Sequence, residues 1–420
     1  MQPQQDSKPS YEVMAPAGSY ECLQAALNAG ADSVYFGVEG LNMRSRSSYN
    51  FTLADLPQIV SRSRERGVRS YLTLNTIMYD SDLPLMQTIL DQAAQAGVSA
   101  VIISDVAALE AARERGLEVH LSTQLNISNA RSLKFFSRFA DVAVLARELS
   151  LEQVRSIYDT IRREGIRGPG GKLMKLELFA HGALCMAVSG KCYLSLHEMN
   201  SSANRGSCMQ ICRRSYRVWD ETADIEVSVQ NPQIMSPKDL KTIHFLDRIT
   251  AAGVEVFKIE GRARGPEYVD TVVRCYRQAL DSLRDGTYTP ERITEWEAQL
   301  ATVFNRGFWN GYYLGQRLGE WTAQSGSVAT KEKEYVAKVV KHFGKLGVAE
   351  AVIESGSLSV GDRILIIGPT TGVLDLTLSE LRVELQSVPT ARKGEHVSFP
   401  VPQKVRPSDR IYLFKDRTPK

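Results

Sequence analysis

The segment NAGADSVYFGVE, residues 28–39, decides the fold. It begins with the end of an amphipathic helical run that stops at Gly30, and it continues as a short apolar run that ends at Glu39. Glycine after a helix adopts the left-handed conformation that ends the helix. Short apolar runs are typical of strands buried on both faces, as in parallel sheets. The segment therefore predicts a helix followed by a strand of a parallel α/β domain.

The same unit recurs at residues 65–75, 95–105, 114–126 and 251–261. Counting all comparable runs gives eight predicted strands: EVMAPAG, SVYFGV, SYLTLN, AVIISD, EVHLSTQLN, VAVLARELS, KLELFAHG and VEVFKIEGR. Eight strands that alternate with helices predict a TIM-type (β/α)8-like barrel, in which the chemistry lies at the carboxyl ends of the strands. An open, doubly wound sheet is the alternative architecture.

The pattern changes along the chain and predicts four parts. Residues 1–10 are expected to be a disordered tail, and 11–288 form the α/β barrel. Residues 289–333 are a helical, aromatic-rich connector, and 334–420 form a small antiparallel β-barrel. In this last part short alternating runs are separated by Gly, Pro and Asp turns, and LSVGDRILI is typical of the second-domain barrels of translation factors.

Composition limits the class of protein. The 420 residues are 43% hydrophobic and 24% charged, which is ordinary for a globular protein. The formal net charge is only +3, so a polyanionic partner would be bound by local basic patches. The sequence has neither a secretory leader pattern nor an apolar run long enough to span a bilayer. We expect a cytoplasmic protein with no membrane partner.

Four of the six cysteines lie in one polar, Gly/Ser-rich stretch that follows the seventh predicted strand. They are Cys185, Cys192, Cys208 and Cys212, separated by six, fifteen and three residues. In a reducing compartment such a group indicates metal binding or redox chemistry, and the spacing favours an iron–sulfur cluster over structural zinc without excluding zinc. The stretch lies in a predicted Cys-rich insertion, residues 182–232, at the active-site end of the barrel.

The other cysteines and the nearby histidines have plainer interpretations. Cys22 and Cys275 lie in helical runs with apolar neighbours, where free cysteine behaves as a small core residue. His181 and His197 flank the cysteine group. A histidine in such a position is about as often a hydrogen-bonding neighbour as a ligand, so neither is assigned as a metal ligand.

The stretch ELFAHGALCMAVSGKCYLS, residues 177–195, resembles the signature of peptidase family U32, the collagenase-like family. MAPAGSYECLQAALNAGADSVYFG, RGSCMQICRR, FKIEGRARGPEYV and NRGFWNGYYLG extend this resemblance over nearly the whole chain. It implies prephenate-dependent, oxygen-independent hydroxylation of the wobble uridine of tRNA to 5-hydroxyuridine. It also implies that the four cysteines hold a [4Fe-4S] cluster. The presence of residues 334–420 favours the RNA-modifying branch, with ribosomal RNA or a small aromatic substrate as alternatives.

The resemblance also suggests candidate site residues. A dicarboxylate such as prephenate requires fixed cations, and family-like segments supply Arg44, Arg147, Lys238, Lys258 and Arg262 after strands or at helix starts. Glu148 and Glu260 are general bases or salt-bridge partners of these cations. The predicted catalytic group is Arg147, Glu148, Glu260 and Arg262.

RNA contacts are expected from basic and aromatic side chains. Arg205, Arg213 and Arg214 bracket the cysteine loop and are predicted, with Arg44, Lys238 and Lys258, to bind substrate. Two further arginine groups, at residues 62–69 and 162–167, are interpreted as solvated helix faces. A base that leaves the anticodon stack needs an aromatic or guanidinium plane, and the candidates are Tyr35, Tyr49 and Tyr79.

Two other classes of function remain as alternatives. Proteolysis is suggested by the family name, but the chain has no HExxH or GxSxG motif, and any Cys-His pair would compete with the metal site. A non-catalytic RNA-binding protein with a stabilising cluster is the third class.

Overall fold

A computed structural model describes residues 11–46, 50–227 and 231–418, so the predicted tail and Tyr49 lie outside the described residues. The strands up to residue 309 are β1 (Glu12–Pro16), β2 (Ser33–Phe36), β3 (Arg69–Leu74), β4 (Ala100–Ile103), β5 (Val119–Leu121), β6 (Val142–Val144), β7 (Lys175–Gly182), β8 (Val218–Asp220), β9 (Ile225–Val227), β10 (Asp239–Lys241), β11 (Val256–Ile259) and β12 (Phe308–Trp309). The helices are α1 (Tyr20–Ala29), α2 (Leu56–Glu65), α3 (Leu83–Ala96), α4 (Val106–Glu114), α5 (Ala130–Phe136), α6 (Leu151–Glu164), α7 (Leu194–Met199), α8 (Leu246–Ala251), α9 (Pro266–Asp285) and α10 (Pro290–Thr302).

Eight parallel strands form a closed barrel. Strands β1 to β7 pair in chain order, β11 pairs with β7, and β1 pairs with β11 to close the ring. These strands are the eight that the sequence predicts. The TIM-like barrel is therefore confirmed, and the open sheet is wrong because β1 and β11 are hydrogen-bonded.

The helix-to-strand units end their helices as the sequence indicates. Gly30 follows α1 with φ 87° and donates its backbone N–H to the Ala26 carbonyl. This left-handed conformation is strained for residues that carry a Cβ atom. The chain then turns directly into β2, whose four residues are all buried. Most of the core lies between the helices and the outer face of the barrel strands.

The Cys-rich insertion lies between β7 and β11, as predicted. It contains α7 and the exposed hairpin β8–β9. Beyond its predicted end at residue 232, strand β10 pairs antiparallel with the end of β7. Strand β12, from the connector, adds to β10 in parallel. Trp309 and Tyr313 of the connector are buried in the barrel core. The polypeptide that follows the insertion is thus anchored to the barrel through the pairing of β10 with β7.

The remaining residues form an antiparallel β-domain, as predicted. Its strands are β13 (Lys331–Phe343), β14 (Val348–Ile353), β15 (Ser357–Ser359), β16 (Arg363–Gly368), β17 (Gly372–Thr377), β18 (Arg382–Val383), β19 (Gln386–Ser387), β20 (Thr390–Arg392), β21 (His396–Pro400) and β22 (Arg410–Asp416). Eight of them form one sheet, in the order β17-β16-β22-β13-β14-β21-β18-β19, and β15 pairs with β20. They enclose a core of their own.

The two domains touch along α1. Asn28 donates from Nδ2 to the Thr371 carbonyl over 3.0 Å, and Arg62 of α2 donates to the Pro369 carbonyl over 2.8 Å. Within the part of the chain that the structure describes, no helix combines the length and the apolar character that a membrane span requires.

Candidate active site

A cavity opens at the carboxyl ends of the barrel strands, beneath the Cys-rich insertion. Its floor comes from the barrel, through Tyr35, Thr73, Phe179 and Lys258. Its roof is the loop that follows β7, residues 183–190. Because the parallel strands all end at this face, side chains far apart in the sequence meet here.

Arg262 lies on the cavity wall, with 7% of its surface exposed. Its Nη1 donates to Asn42 Oδ1 over 3.0 Å and to Thr73 Oγ1 over 3.1 Å. Burial lowers the pKa of Arg262 to about 10, so the guanidinium remains charged at neutral pH. Its position depends on Gly37, because a Cβ atom there would lie 2.4 Å from Nη1.

Glu260 forms an ion pair with Arg44, in which Nη2 lies 2.9 Å from Oε1. Burial alone would raise the pKa of the Glu260 carboxyl, but three guanidinium groups lower it instead, those of Arg44, Arg147 and Arg262. The carboxyl is therefore ionised at neutral pH. Its contact with Arg44 is the salt bridge that the sequence analysis gave as one of two options, beside a general base.

Lys258 and Arg147 complete the cationic wall. Lys258 Nζ lies 2.9 Å from Glu177 Oε1 and 4.7 Å from the centre of the Tyr35 ring. Arg147 stacks its guanidinium 3.6 Å above the Phe179 ring and donates to the Ala183 carbonyl over 2.9 Å. Among the described residues that line the cavity, the charged side chains are one carboxylate, Glu260, and five cations: Arg44, Arg147, Arg213, Lys258 and Arg262. The cavity therefore favours anions.

All four cysteines of the insertion line this cavity. Burial raises the pKa of the Cys212 thiol, Arg213 lowers it, and the other three cysteines raise it further. Four thiolates this close repel one another unless a cation neutralises them, so the donor set fits a metal centre. Among the described residues, no three His, Cys, Asp or Glu side chains are arranged to share one metal ion. A four-iron cluster does not need such sharing, because each thiolate binds a different iron.

Arg213 fixes the insertion over the cavity. Its guanidinium donates to the carbonyls of Leu184 and Pro237 and, over 3.1 Å, to Ser236 Oγ. Leu184 precedes the first cysteine of the group, and Pro237 precedes β10. One side chain thus joins the two ends of the insertion.

Four of the predicted site residues lie away from the cavity lining. Lys238 forms an ion pair with Glu320 at 2.7 Å, and Arg205 pairs with Asp82 and stacks 4.0 Å over Tyr79. Glu148 and Arg214 are exposed. The structure brings the other six together: Arg44, Arg147, Arg213, Lys258, Glu260 and Arg262.

The histidines near the cysteines do not line the cavity. His181 is buried on the outer side of β7, where its Nδ1 lies 3.3 Å from the Tyr276 hydroxyl of α9. His197 is exposed. Of the stacking candidates, Tyr35 lines the cavity and Tyr79 does not. Cys22 and Cys275 are buried, as predicted.

Polar side chains complete the surroundings of the cavity. Asn42 and Thr73 position Arg262, and Asn75, Ser122 and Gln124 form a hydrogen-bonded group on the cavity wall. Asn75 and Gln124 directly follow predicted strands, so the sequence places both at the carboxyl ends of the barrel, whereas Thr73 and Ser122 were not singled out. Asn42 lies in a loop without a periodic pattern, and nothing local indicates it.

Comparisons with known proteins identify sequences that are similar to this chain. The sequence model described as peptidase family U32 matches residues 18–323. A protein named collagenase from Porphyromonas gingivalis is 62% identical over 407 residues, which cover 97% of this chain and 98% of that protein. A tRNA hydroxylation protein P1 from Bacillus subtilis is 33% identical and covers 70% of this chain and 69% of its own length. A 23S rRNA 5-hydroxycytidine synthase from Escherichia coli is 36% identical over 65% of this chain and 39% of its own length.

Proposed function

This chain belongs to peptidase family U32, and from that premise we propose that it hydroxylates tRNA. In this proposal it converts the wobble uridine to 5-hydroxyuridine without oxygen, with prephenate as co-substrate and a [4Fe-4S] cluster. The names of two relatives support RNA hydroxylation as the class of reaction. The match covers 69% of the Bacillus subtilis tRNA hydroxylation protein but only 39% of the Escherichia coli ribosomal RNA enzyme, which supports tRNA as the substrate.

One observation carries the proposal: four thiols and five cations line the same cavity. An iron–sulfur cluster bound by four thiolates is anionic, and a dicarboxylate is anionic as well. The excess of cations therefore matches two partners together better than either alone.

The cluster would be held by Cys185, Cys192, Cys208 and Cys212. When bound, a [4Fe-4S] cluster supplies one-electron transfer. The chain's own contribution is to keep the four thiols at one cavity. Arg213 does this by tying the insertion across its base.

The co-substrate would be bound by the fixed guanidinium groups. Arg262 is oriented by Asn42 and Thr73, and Arg44 is oriented by Glu260. Arginine held in this way binds a carboxylate through two parallel hydrogen bonds. Lysine at position 262 would supply the positive charge without the two parallel N–H donors of a guanidinium.

The base would enter the cavity unstacked from the anticodon loop. The stacked pair of Arg147 and Phe179 offers a flat surface, and the amides of Asn75 and Gln124 offer both donors and acceptors. A uracil edge carries two carbonyl acceptors and one N–H donor, so this wall is chemically complementary to it.

Proteolysis is the second candidate function, because a relative at 62% identity is named collagenase. Peptide hydrolysis by a cysteine needs a histidine within hydrogen-bond reach of the thiol. The described lining of the cavity includes no histidine, and His181 is turned to the far side of β7. The geometry therefore favours RNA hydroxylation.

The test is mass spectrometry of nucleosides from tRNA of cells that lack the gene. We expect 5-hydroxyuridine and its derivatives to be lost, and to be restored by the wild-type chain but not by Cys192→Ala or Arg262→Lys. Cys275→Ala, which changes a buried cysteine outside the cavity, is the matched control and should restore the modification.

The outcomes separate the candidates. Unchanged tRNA with a lost ribosomal RNA modification would move the substrate to ribosomal RNA. If no RNA changes and the purified wild-type chain cleaves collagen, the hydroxylase proposal is wrong. Anaerobic Cys192→Ala protein that kept its full iron content would remove the cluster assignment.

A further inference from the structure

The interior of this barrel contains buried charges. TIM barrels usually fill this space with branched apolar side chains. Here His120 and Glu177 are completely buried, and Lys258 is 5% exposed. Moving charges out of water costs several kcal/mol per ion, so a stack of them needs a physical reason.

These side chains form a continuous chain of contacts across the barrel. Lys258 Nζ lies 2.9 Å from Glu177 Oε1, and Glu177 Oε2 lies 3.4 Å from His120 Nδ1. On the other side of the ring, His120 Nε2 lies 3.3 Å from Glu118 Oε1. Within the described residues, Glu177 Oε2 and His120 Nδ1 are both buried without a hydrogen-bond partner, and at 3.4 Å each is the polar atom that faces the other.

The two ends of this series of contacts, Lys258 and Glu118, lie at opposite mouths of the barrel. Lys258 lines the cavity beneath the insertion. The side chain of Glu118 is 33% exposed and lines a separate cleft together with Glu12, Arg69 and Lys175. Those residues begin strands or, like Glu118, directly precede one, so this cleft lies at the amino ends of the strands.

Other charged groups lie beside the contacts between Lys258, Glu177, His120 and Glu118 and do not come between them. The Tyr71 hydroxyl donates to Glu12 Oε1 over 2.7 Å, and Arg69 Nη2 pairs with Glu118 Oε2 at 2.6 Å. The remaining titratable and charged groups that face it are Tyr35 and, on the cavity side, Arg44, Arg147, Glu260 and Arg262. Although burial would lower the pKa of His120, the nearby carboxylates of Glu118 and Glu177 raise it above its ordinary value.

We propose that Glu118, His120 and Glu177 form a proton path between solvent at the amino-terminal mouth of the barrel and Lys258 in the cavity. One proton crosses each link: Lys258 Nζ to Glu177 Oε1, Glu177 Oε2 to His120 Nδ1, and His120 Nε2 to Glu118 Oε1. The reverse order returns a proton to the cavity. The path carries protons alone and needs no oxidant or reductant.

The use of this path in catalysis rests on the proposed function. Hydroxylation of the base breaks a carbon–hydrogen bond inside the cavity, where the insertion covers the strand ends. Lys258 lies in that cavity and is the member of the chain that meets the substrate. His120 and Glu177 act through Lys258 and are positioning residues.

The first test does not depend on activity. With ¹⁵N-labelled histidine in the full chain, the ring N–H of His120, assigned with His120→Gln, should exchange with solvent quickly although the side chain is buried. Glu118→Gln should slow this exchange at least tenfold. Tyr71→Phe, which removes a neighbouring hydroxyl outside the path, should leave it unchanged. Exchange as slow as that of the β5 backbone amides, or exchange insensitive to Glu118→Gln, would overturn the proposal.

The second test measures the kcat of RNA hydroxylation. His120→Gln and Glu177→Gln should lower kcat at least tenfold and change its pH profile and solvent isotope effect, whereas Tyr71→Phe should not. If the wild-type chain modifies no RNA but its His120 exchange depends on Glu118, the proposed function fails and the path stands. If hydroxylation occurs and His120→Gln leaves kcat and its isotope effect unchanged, the path is wrong.

Discussion

Arg262 shows how single residues set the character of the cavity. Its guanidinium is fixed by Asn42 and Thr73, two neutral partners that orient it without cancelling its charge. Glu260 instead neutralises Arg44. Arg44 is thus ion-paired directly with Glu260, whereas Arg262 is hydrogen-bonded to neutral partners and interacts with the Glu260 charge without a direct ion pair. Glycine at position 37 makes this arrangement possible, because any larger residue would occupy the space of the guanidinium.

Gly37→Ala should therefore reduce activity more than stability. The added Cβ would meet Arg262 Nη1 at 2.4 Å and Asn42 Cγ at 2.8 Å, so the guanidinium must move. A displacement of about 1 Å in a positioning group can lower the rate by ~100-fold. The measurement is kcat for tRNA hydroxylation together with urea unfolding. Gly344→Ala, where the nearest atoms lie 3.8 Å from the added Cβ, is the control. Equal activity in the two variants would contradict the prediction.

His181 should make stability depend on pH. Burial, with Lys241 and Arg264 nearby, lowers its pKa to about 3, whereas the unfolded value is 6.5. Between these values the unfolded chain binds more protons, so the free energy of unfolding falls as the pH falls. From pH 7 to pH 4 the loss should be about 3 kcal/mol larger in wild type than in His181→Gln. Urea unfolding at the two pH values measures it. Parallel pH dependences would show that His181 does not titrate in this way.

At the scale of elements, an irregularity in β7 decides which side chains reach the cavity. Glu177 and Phe179 point into the barrel, as alternate residues of a strand should. The register with β11 then shifts, because Lys258 pairs with Phe179 but Ile259 pairs with His181. This β-bulge turns His181 towards Tyr276 on the outside of the barrel. The Tyr276 hydroxyl also donates to the Ala180 carbonyl within the bulge, over 2.8 Å.

Arg213 holds the cysteine loop in place by hydrogen bonds to backbone carbonyls on both sides of it. Arg213→Met removes the donors that hold the Leu184 and Pro237 carbonyls, so the loop should lose its fixed geometry. We expect iron retention after anaerobic reconstitution to weaken about tenfold, the range seen when groups supporting metal ligands are removed. Arg214→Met changes the adjacent, exposed arginine and should bind iron normally. Iron content and visible absorption measure both variants. Equal iron in the two would remove this role from Arg213.

At the scale of the whole molecule, the β-domain packs against barrel helices, chiefly α1 and α9. Gly372, with φ 72°, begins β17 and packs against the backbone of α1. The hydrogen bond from Asn28 to the Thr371 carbonyl lies beside it. Further contacts reach α9, where Lys333 Nζ of β13 lies 2.6 Å from Glu267 Oε2. The β-domain is therefore held against both α1 and α9 of the barrel.

Gly372→Ala should loosen this docking. An added Cβ would lie 3.1 Å from both the Ala25 nitrogen and the Gln24 carbonyl carbon, which are backbone atoms that cannot rotate away. Gly356→Ala is the matched control, since its φ of 62° gives comparable strain and no atom lies within 4 Å. We expect Gly372→Ala to be about 1–3 kcal/mol less stable than the control, as for other overpacked sites. Urea unfolding and limited proteolysis between the domains are the measurements. Equal stability of Gly372→Ala and Gly356→Ala would contradict the prediction, because it would mean that the contact with α1 accommodates the added Cβ atom.

The sequence by itself determined the order of the elements and the place of the site. Helical runs that end in glycine and continue as apolar strands specify a parallel α/β domain, because burial periodicity and left-handed caps are local properties. The position of four cysteines after the seventh strand likewise placed them at the carboxyl ends of the strands. Arg44, Arg147, Lys258, Glu260 and Arg262 were predicted there from family-like segments near strand ends, and they meet in the cavity.

Only the tertiary structure decided which partners these residues have. The bulge that turns His181 outward, the pairing of Arg262 with Asn42 and Thr73, and the contacts from Glu118 to Lys258 depend on strand register and barrel closure. Lys238 and Arg205 share the predicted charge but are paired with Glu320 and Asp82 elsewhere. The local sequence pattern indicates whether a side chain is buried. Which residues it contacts depends on the closure of the barrel, because closure brings strands that are distant in the sequence together.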